Sequence, residues 1–105
     1  MKGILFTIAL LMSSSVFADA NLPAQNISGI ATGWGSEGNY LFFDGNNIVE
    51  GCTNNRVRIQ RDHPMAKDIL SIALSAFHTD RKVIVRVSGC LGSDMNGIAI
   101  HIVKN

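Results

Sequence analysis

Few residues in this chain could do chemistry: three histidines, two cysteines, one glycine-rich hexapeptide, and arginines that alternate with aliphatic residues. Gly33-Trp34-Gly35-Ser36-Glu37-Gly38 has the G-x-G-x-x-G spacing that opens a helix beneath a pyrophosphate in dinucleotide-binding folds. Here the strand-forming run Asn39-Tyr40-Leu41-Phe42-Phe43 follows it, so the glycines predict a turn between two strands instead. His63, His78 and His101 have no partner at ligand spacing. The first two bracket a predicted helix, roughly 22 Å apart along its axis, too far to share an ion. His101 falls on the polar side of the last strand, facing solvent or a hydrogen-bond partner. Cys52 and Cys90 are claimed by a disulfide, argued below, and no G-x-S-x-G elbow supports a serine nucleophile. The reading is a non-enzymatic protein with no metal and no cofactor.

Binding has better candidates. Arg56-Val57-Arg58-Ile59-Gln60 alternates with a period of two, and Arg86 sits between Val85 and Val87. Arg56, Arg58 and Arg86 therefore project to the outer side of a sheet. There they either bind an acidic group or form a solvated face paired with acids. Trp34 and Tyr40 flank the glycine turn. Each joins an apolar body to a polar handle, which suits a sugar-stacking surface as well as a small core.

The amino-terminal residues predict export. Lys2 precedes the apolar run Ile4 to Met12, and Ser13 to Ala18 is a small-residue region ending in Val16-Phe17-Ala18. This is the pattern of a secretory signal over residues 1–18, with Ala18-Asp19-Ala20 as a second cleavage site. The apolar run is about half the roughly twenty residues a membrane span needs. Of nine basic residues only Lys2 precedes Asp19, so eight face eight acids in the exported part and its net charge is zero. That balance lacks the field by which nucleic-acid binders attract phosphates. The destination is the periplasm or the exterior, an oxidising compartment. There a small domain with an even cysteine count is expected to join Cys52 to Cys90.

The elements that must position these side chains follow in order. Residues 19–26 read as a polar, flexible leader, and residues 27–105 as a single domain. Ile27 to Trp34 and Asn39 to Phe43 are strands, Asp44-Gly45-Asn46-Asn47 is a turn, and a short strand or turn lies near Ile48. Arg56 to Gln60 is the third strand. A helix begins at His63-Pro64 and runs to about His78, then Lys82 to Val87 and Gly97 to Val103 complete the set. The class is mainly β with one helix. Its order, with the helix between the third and fourth strands, is that of an OB-fold, a five-stranded, partly open barrel. The rival is a small α+β sandwich.

The helix is apolar almost all round, except along Lys67, Asp68, Ser71 and Ser75. Two rows result: Leu70, Leu74 and Phe77, expected to close the barrel, and Ile69, Ile72, Ala73 and Ala76, expected to meet another copy of the chain. A homo-oligomer is the predicted assembly.

Gly51-Cys52, the helix Pro64 to Phe77, Lys82 to Cys90 and the start Ile27-Ser28-Gly29-Ile30 together resemble the B subunit of subtilase cytotoxin and the small exported proteins similar to it. The resemblance spans about Ile27 to Val103. It implies an OB-fold subunit in a ring of five, helices toward the centre, that binds sialylated glycans in the toxins. It makes Ser28 a sugar contact. The acid and the tyrosine that accompany such a serine have no counterpart in Leu22 to Asn26 or at Val87. The alternative function is a small periplasmic structural or inhibitory protein with a protein ligand and no carbohydrate.

Overall fold

A computed structural model describes residues 19–33 and 38–104. The predicted signal, and Trp34 with its three following neighbours, lie outside the described residues. The elements are strands β1 (Asp19–Asn21), β2 (Gln25–Thr32), β3 (Gly38–Phe43) and β4 (Arg56–Gln60), helix α1 (Ala66–Thr79), and strands β5 (Lys82–Leu91) and β6 (Asp94–Ile102). The protein is mainly β, with one helix among the described residues.

Five strands hydrogen-bond in a ring, β2-β3-β4-β6-β5 and back to β2, and β1 pairs farther along the same edge of β5 that β2 uses. All pairings are antiparallel except β4 with β6, which is parallel. Period-two alternation decides which side chains enter the ring. Val57 and Ile59 point in from β4, and Val83, Val85 and Val87 from β5, each at most 1 % exposed. Leu41, Phe43, Ile27 and Met95 complete this core from the other strands.

Helix α1 packs chiefly on β2 and β6, and here the two apolar rows are exchanged relative to the sequence expectation. Ile69, Ala73 and Ala76 are buried within the chain, and Ile72 is half-buried, so this row closes the ring and is not a surface for another subunit. Leu74 and Phe77, assigned inward by the sequence, are 49 % and 47 % exposed. Side-chain size explains the exchange. The two alanines let the helix axis approach the sheet closely, whereas the bulk of Leu74 and Phe77 would hold it away.

The helix also starts later than Pro64 suggests. His63, Pro64 and Met65 form a turn in which the His63 ring accepts a hydrogen bond at Nδ1 from the Met65 amide, 3.0 Å. Asp80, at φ 59°, ends the helix in the left-handed conformation, and the Arg81 amide donates back to the Ala76 carbonyl. Asn26 of β2 donates to both the backbone and the side-chain oxygen of Asp80, which ties that end to the ring.

One further expectation is corrected and another narrowed. Residues 19–26 are not a loose leader: Asp19, Ala20 and Asn21 pair with Ser88, Val87 and Arg86, and Leu22 and Gln25 are buried. The β5 edge supplies hydrogen bonds for that backbone, and one leucine supplies the anchor. Near Ile48, where the sequence allowed a short strand or a turn, the chain takes a turn at Glu50 and Gly51. Residues 44–55 form an irregular connection held by side-chain amides, Asn47 to the Gln25 carbonyl oxygen and Asn55 to the Gly45 carbonyl. Cys52 and Cys90 form the expected disulfide, with Cα atoms 5.6 Å apart. Among the described residues no helix is long and apolar enough to cross a membrane.

Candidate functional site

Four of the residues singled out by sequence stand on one outward face. The register across three strands runs Gly29, Phe42, Arg56 and then Ala31, Tyr40, Arg58, the second row continuing to Asn96 on β6. Because Leu41 and Val57 point inward between these rows, Tyr40, Arg56 and Arg58 share the outer side. Ser28 joins them by a different route. The β2–β3 register slips between Ile27 and Gly29, so Ser28 is the extra residue of a bulge, exposed at the edge of the same face.

The centre of the cluster is a residue the sequence reading did not pick. Asp94, at the first position of β6, is 2 % exposed and accepts hydrogen bonds from Arg56 Nε at 2.6 Å and Asn54 Nδ2 at 2.9 Å. Its second oxygen lies 3.4 Å from Arg58 Nη2, which also donates to the Leu91 carbonyl at 2.9 Å. The Arg56 guanidinium stacks over the Tyr40 ring, 4.6 Å from its centre. Arg58 Nε is buried without a hydrogen-bond partner among the described residues.

Burial acts to raise the Asp94 carboxyl. The hydrogen bonds from Arg56 and Asn54 and the charges of Arg56 and Arg58 outweigh it, and the group titrates below its ordinary 3.8. Two guanidiniums against one carboxylate leave a positive surplus that suits an acidic group, but Tyr40, expected as either a stacking surface or core, is only 6 % exposed beneath Arg56 and offers no open ring face.

Arg86 does not belong to this face. It stands on β5 and reaches β1, where its Nη1 donates to Asn21 at 3.2 Å and its Nε lies 3.7 Å from Asp19. Trp34 falls outside the described residues. His78 and His101 are exposed, and no group of three metal-binding side chains occurs among the described residues. Nothing local in the sequence marks Asp94, which stands after Gly92 and Ser93 and before Met95, Asn96 and Gly97.

With this geometry in view, comparison of the chain with protein-family models, with curated proteins and with solved structures finds no match.

Proposed function

We propose that the protein is an exported, non-enzymatic binding module with an OB-fold, similar to the glycan-binding B subunit of subtilase cytotoxin, and that it takes its ligand on the outer face of β2, β3 and β4. The observation that carries this reading is the ring. Five strands join in the order β2-β3-β4-β6-β5, one pair is parallel, and the helix falls in the chain between β4 and β5, the third and fourth strands of the ring in sequence order. OB-folds bind oligosaccharides or oligonucleotides over their second and third strands, flanked by the loop joining the last two. In this chain those strands are β3 and β4, which carry Tyr40, Arg56 and Arg58, and Asp94 follows the corresponding last turn. Zero net charge beyond Ala18 favours a sugar over a phosphate backbone. The disulfide supports export, since such bonds persist in oxidising compartments.

A glycan array tests the ligand class. Binding should be retained by the unaltered protein and reduced about tenfold or more by Ser28→Ala or Arg56→Gln, each removing one polar contact. Capture that is indifferent to both changes would move the ligand off this face. The second reading, a protein ligand and no carbohydrate, is favoured by one observation. Arg56 and Arg58 are already engaged by Asp94, so the face offers shape more than free charge.

Self-association is part of the same proposal, now through Leu74 and Phe77, which rise from the solvent side of α1. Leu74→Asp should convert an oligomer to a folded monomer in sedimentation, because a buried unpaired carboxylate costs several kcal/mol. Ala73→Asp, on the packed row, should unfold the chain. A clean monomer from the unaltered protein at tens of micromolar would end the idea.

A further inference from the structure

A second concavity lies around the edge from the face just described, between the ends of the β2–β3 hairpin and the first turn of α1. It measures about 380 Å³ and is lined by Thr32, Gly33, Gly38 and Asn39 on one side, with Arg61, Lys67 and Leu70 among those opposite. Its volume falls at the small end of the range for small-molecule sites, about 300 to 1,000 Å³. The fold builds it deliberately. A Cβ on Gly38, at φ 140°, would fall on the Ile59 carbonyl oxygen and crowd the Arg61 amide, so only glycine lets β3 begin flat against the end of β4. On the other side, no contact from the described residues comes within 4 Å of where a Cβ on Gly33 would stand. On the helix, Lys67 and Leu70 are three positions apart and so share one flank, which puts an ammonium above an apolar wall.

The charges here differ from those elsewhere on the ring. Arg56, Arg58 and Arg86 each have a carboxylate within ion-pair distance. Arg61 and Lys67 pair with no carboxylate among the described residues, and none of the described lining residues is an acid. Asp68, the next residue after Lys67, turns to the neighbouring groove with Met65, Ile72 and Ile98. Two cations from different elements, an amide, a hydroxyl and one aliphatic wall therefore converge on a space for a ligand of monosaccharide size. We infer that this cleft binds a small organic anion, a carboxylate or phosphate ester held by Arg61 and Lys67 with its body against Leu70. The inference is independent of the β2–β4 face and survives if that face binds no glycan.

Amide NMR of the purified, disulfide-bonded protein tests it, titrating D-glucuronate, D-glucose 6-phosphate and D-glucose in turn. Saturable shifts are expected on the amides of Thr32, Gly33, Gly38, Asn39 and Lys67 with at least one of the two anions, and which anion responds names the acidic group. Glucose should leave these signals unmoved. Arg61→Gln and Lys67→Gln should each weaken binding about tenfold, the loss of one charge-assisted contact, whereas Arg56→Gln should leave it unchanged. No saturation by either anion at tens of millimolar, an equal response to glucose, or shifts centred on Arg56 and Arg58 would overturn the assignment.

Discussion

Replacing Asp94 by alanine is expected to lower the free energy of unfolding by about 3 kcal/mol, measured as a fall in the urea midpoint. That figure is the lower end for breaking a buried ion pair, because Arg56 keeps 36 % of its side chain in water while Arg58 keeps 19 %. Loss of the carboxylate removes three hydrogen-bonding or ionic partners at once and leaves two guanidiniums facing each other across β4. Asp94→Asn keeps the shape and should cost less. Its comparison with alanine separates charge from packing.

The same residue sets an acid limit. Its folded carboxyl titrates below 3.8, so its contribution is complete above that ordinary value and is lost as pH falls through the folded one. The stability gap between wild type and Asp94→Asn should therefore begin to close below about pH 4, the ordinary aspartate range, and vanish only as pH falls through the lower folded value. A gap that persists unchanged in acid, or an alanine variant within about 0.5 kcal/mol of wild type, would show that the cluster is ornamental to the fold.

The Cys52→Ser, Cys90→Ser double variant should lose about 4 kcal/mol, the chain-entropy value for releasing a loop whose ends are 38 residues apart. A domain of this size has about 4 to 13 kcal/mol in total. The variant is thus expected to be partly unfolded at 37 °C and to show a broadened or missing urea baseline. A loss under about 1 kcal/mol would mean that the unfolded chain is already held compact by other contacts.

The strands and the helix were legible because their patterns are local. Arg56 to Gln60 alternates without a break, and the isoleucines of β6 recur at every second place. What escaped was non-local. Asn21 and its neighbours form β1 only because β5 offers an edge, and a segment with one leucine among polar residues carries no period. Asp94 read as a turn residue among Gly92 and Ser93, since its partners Arg56 and Arg58 arrive from nearly forty positions away. The helix presented two apolar rows of equal hydrophobicity. Only the small size of Ala73 and Ala76 marked the inward one, and size was the cue left unused. Of the candidate face, the alternation of β4 gave Arg56 and Arg58, while the bulge that turns Ser28 outward depends on the β3 register.

The one parallel seam of the ring bears on how the chain finds its fold. Antiparallel neighbours take their register from the turn between them, but β4 and β6 share no turn, and a slip of one residue would expose Val57 and bury Arg58. Met95 follows Val57 by 38 positions, the same separation as Cys90 from Cys52. Strand β4 begins four residues after Cys52, and β6 begins four residues after Cys90. The cystine therefore holds the two strands level at their starts and running the same way. Long-range parallel pairing is intrinsically slow to form, and in the oxidised chain the β4–β6 pairing starts from that common origin. The covalent bond thus limits the register of the parallel seam as well as bracing the fold.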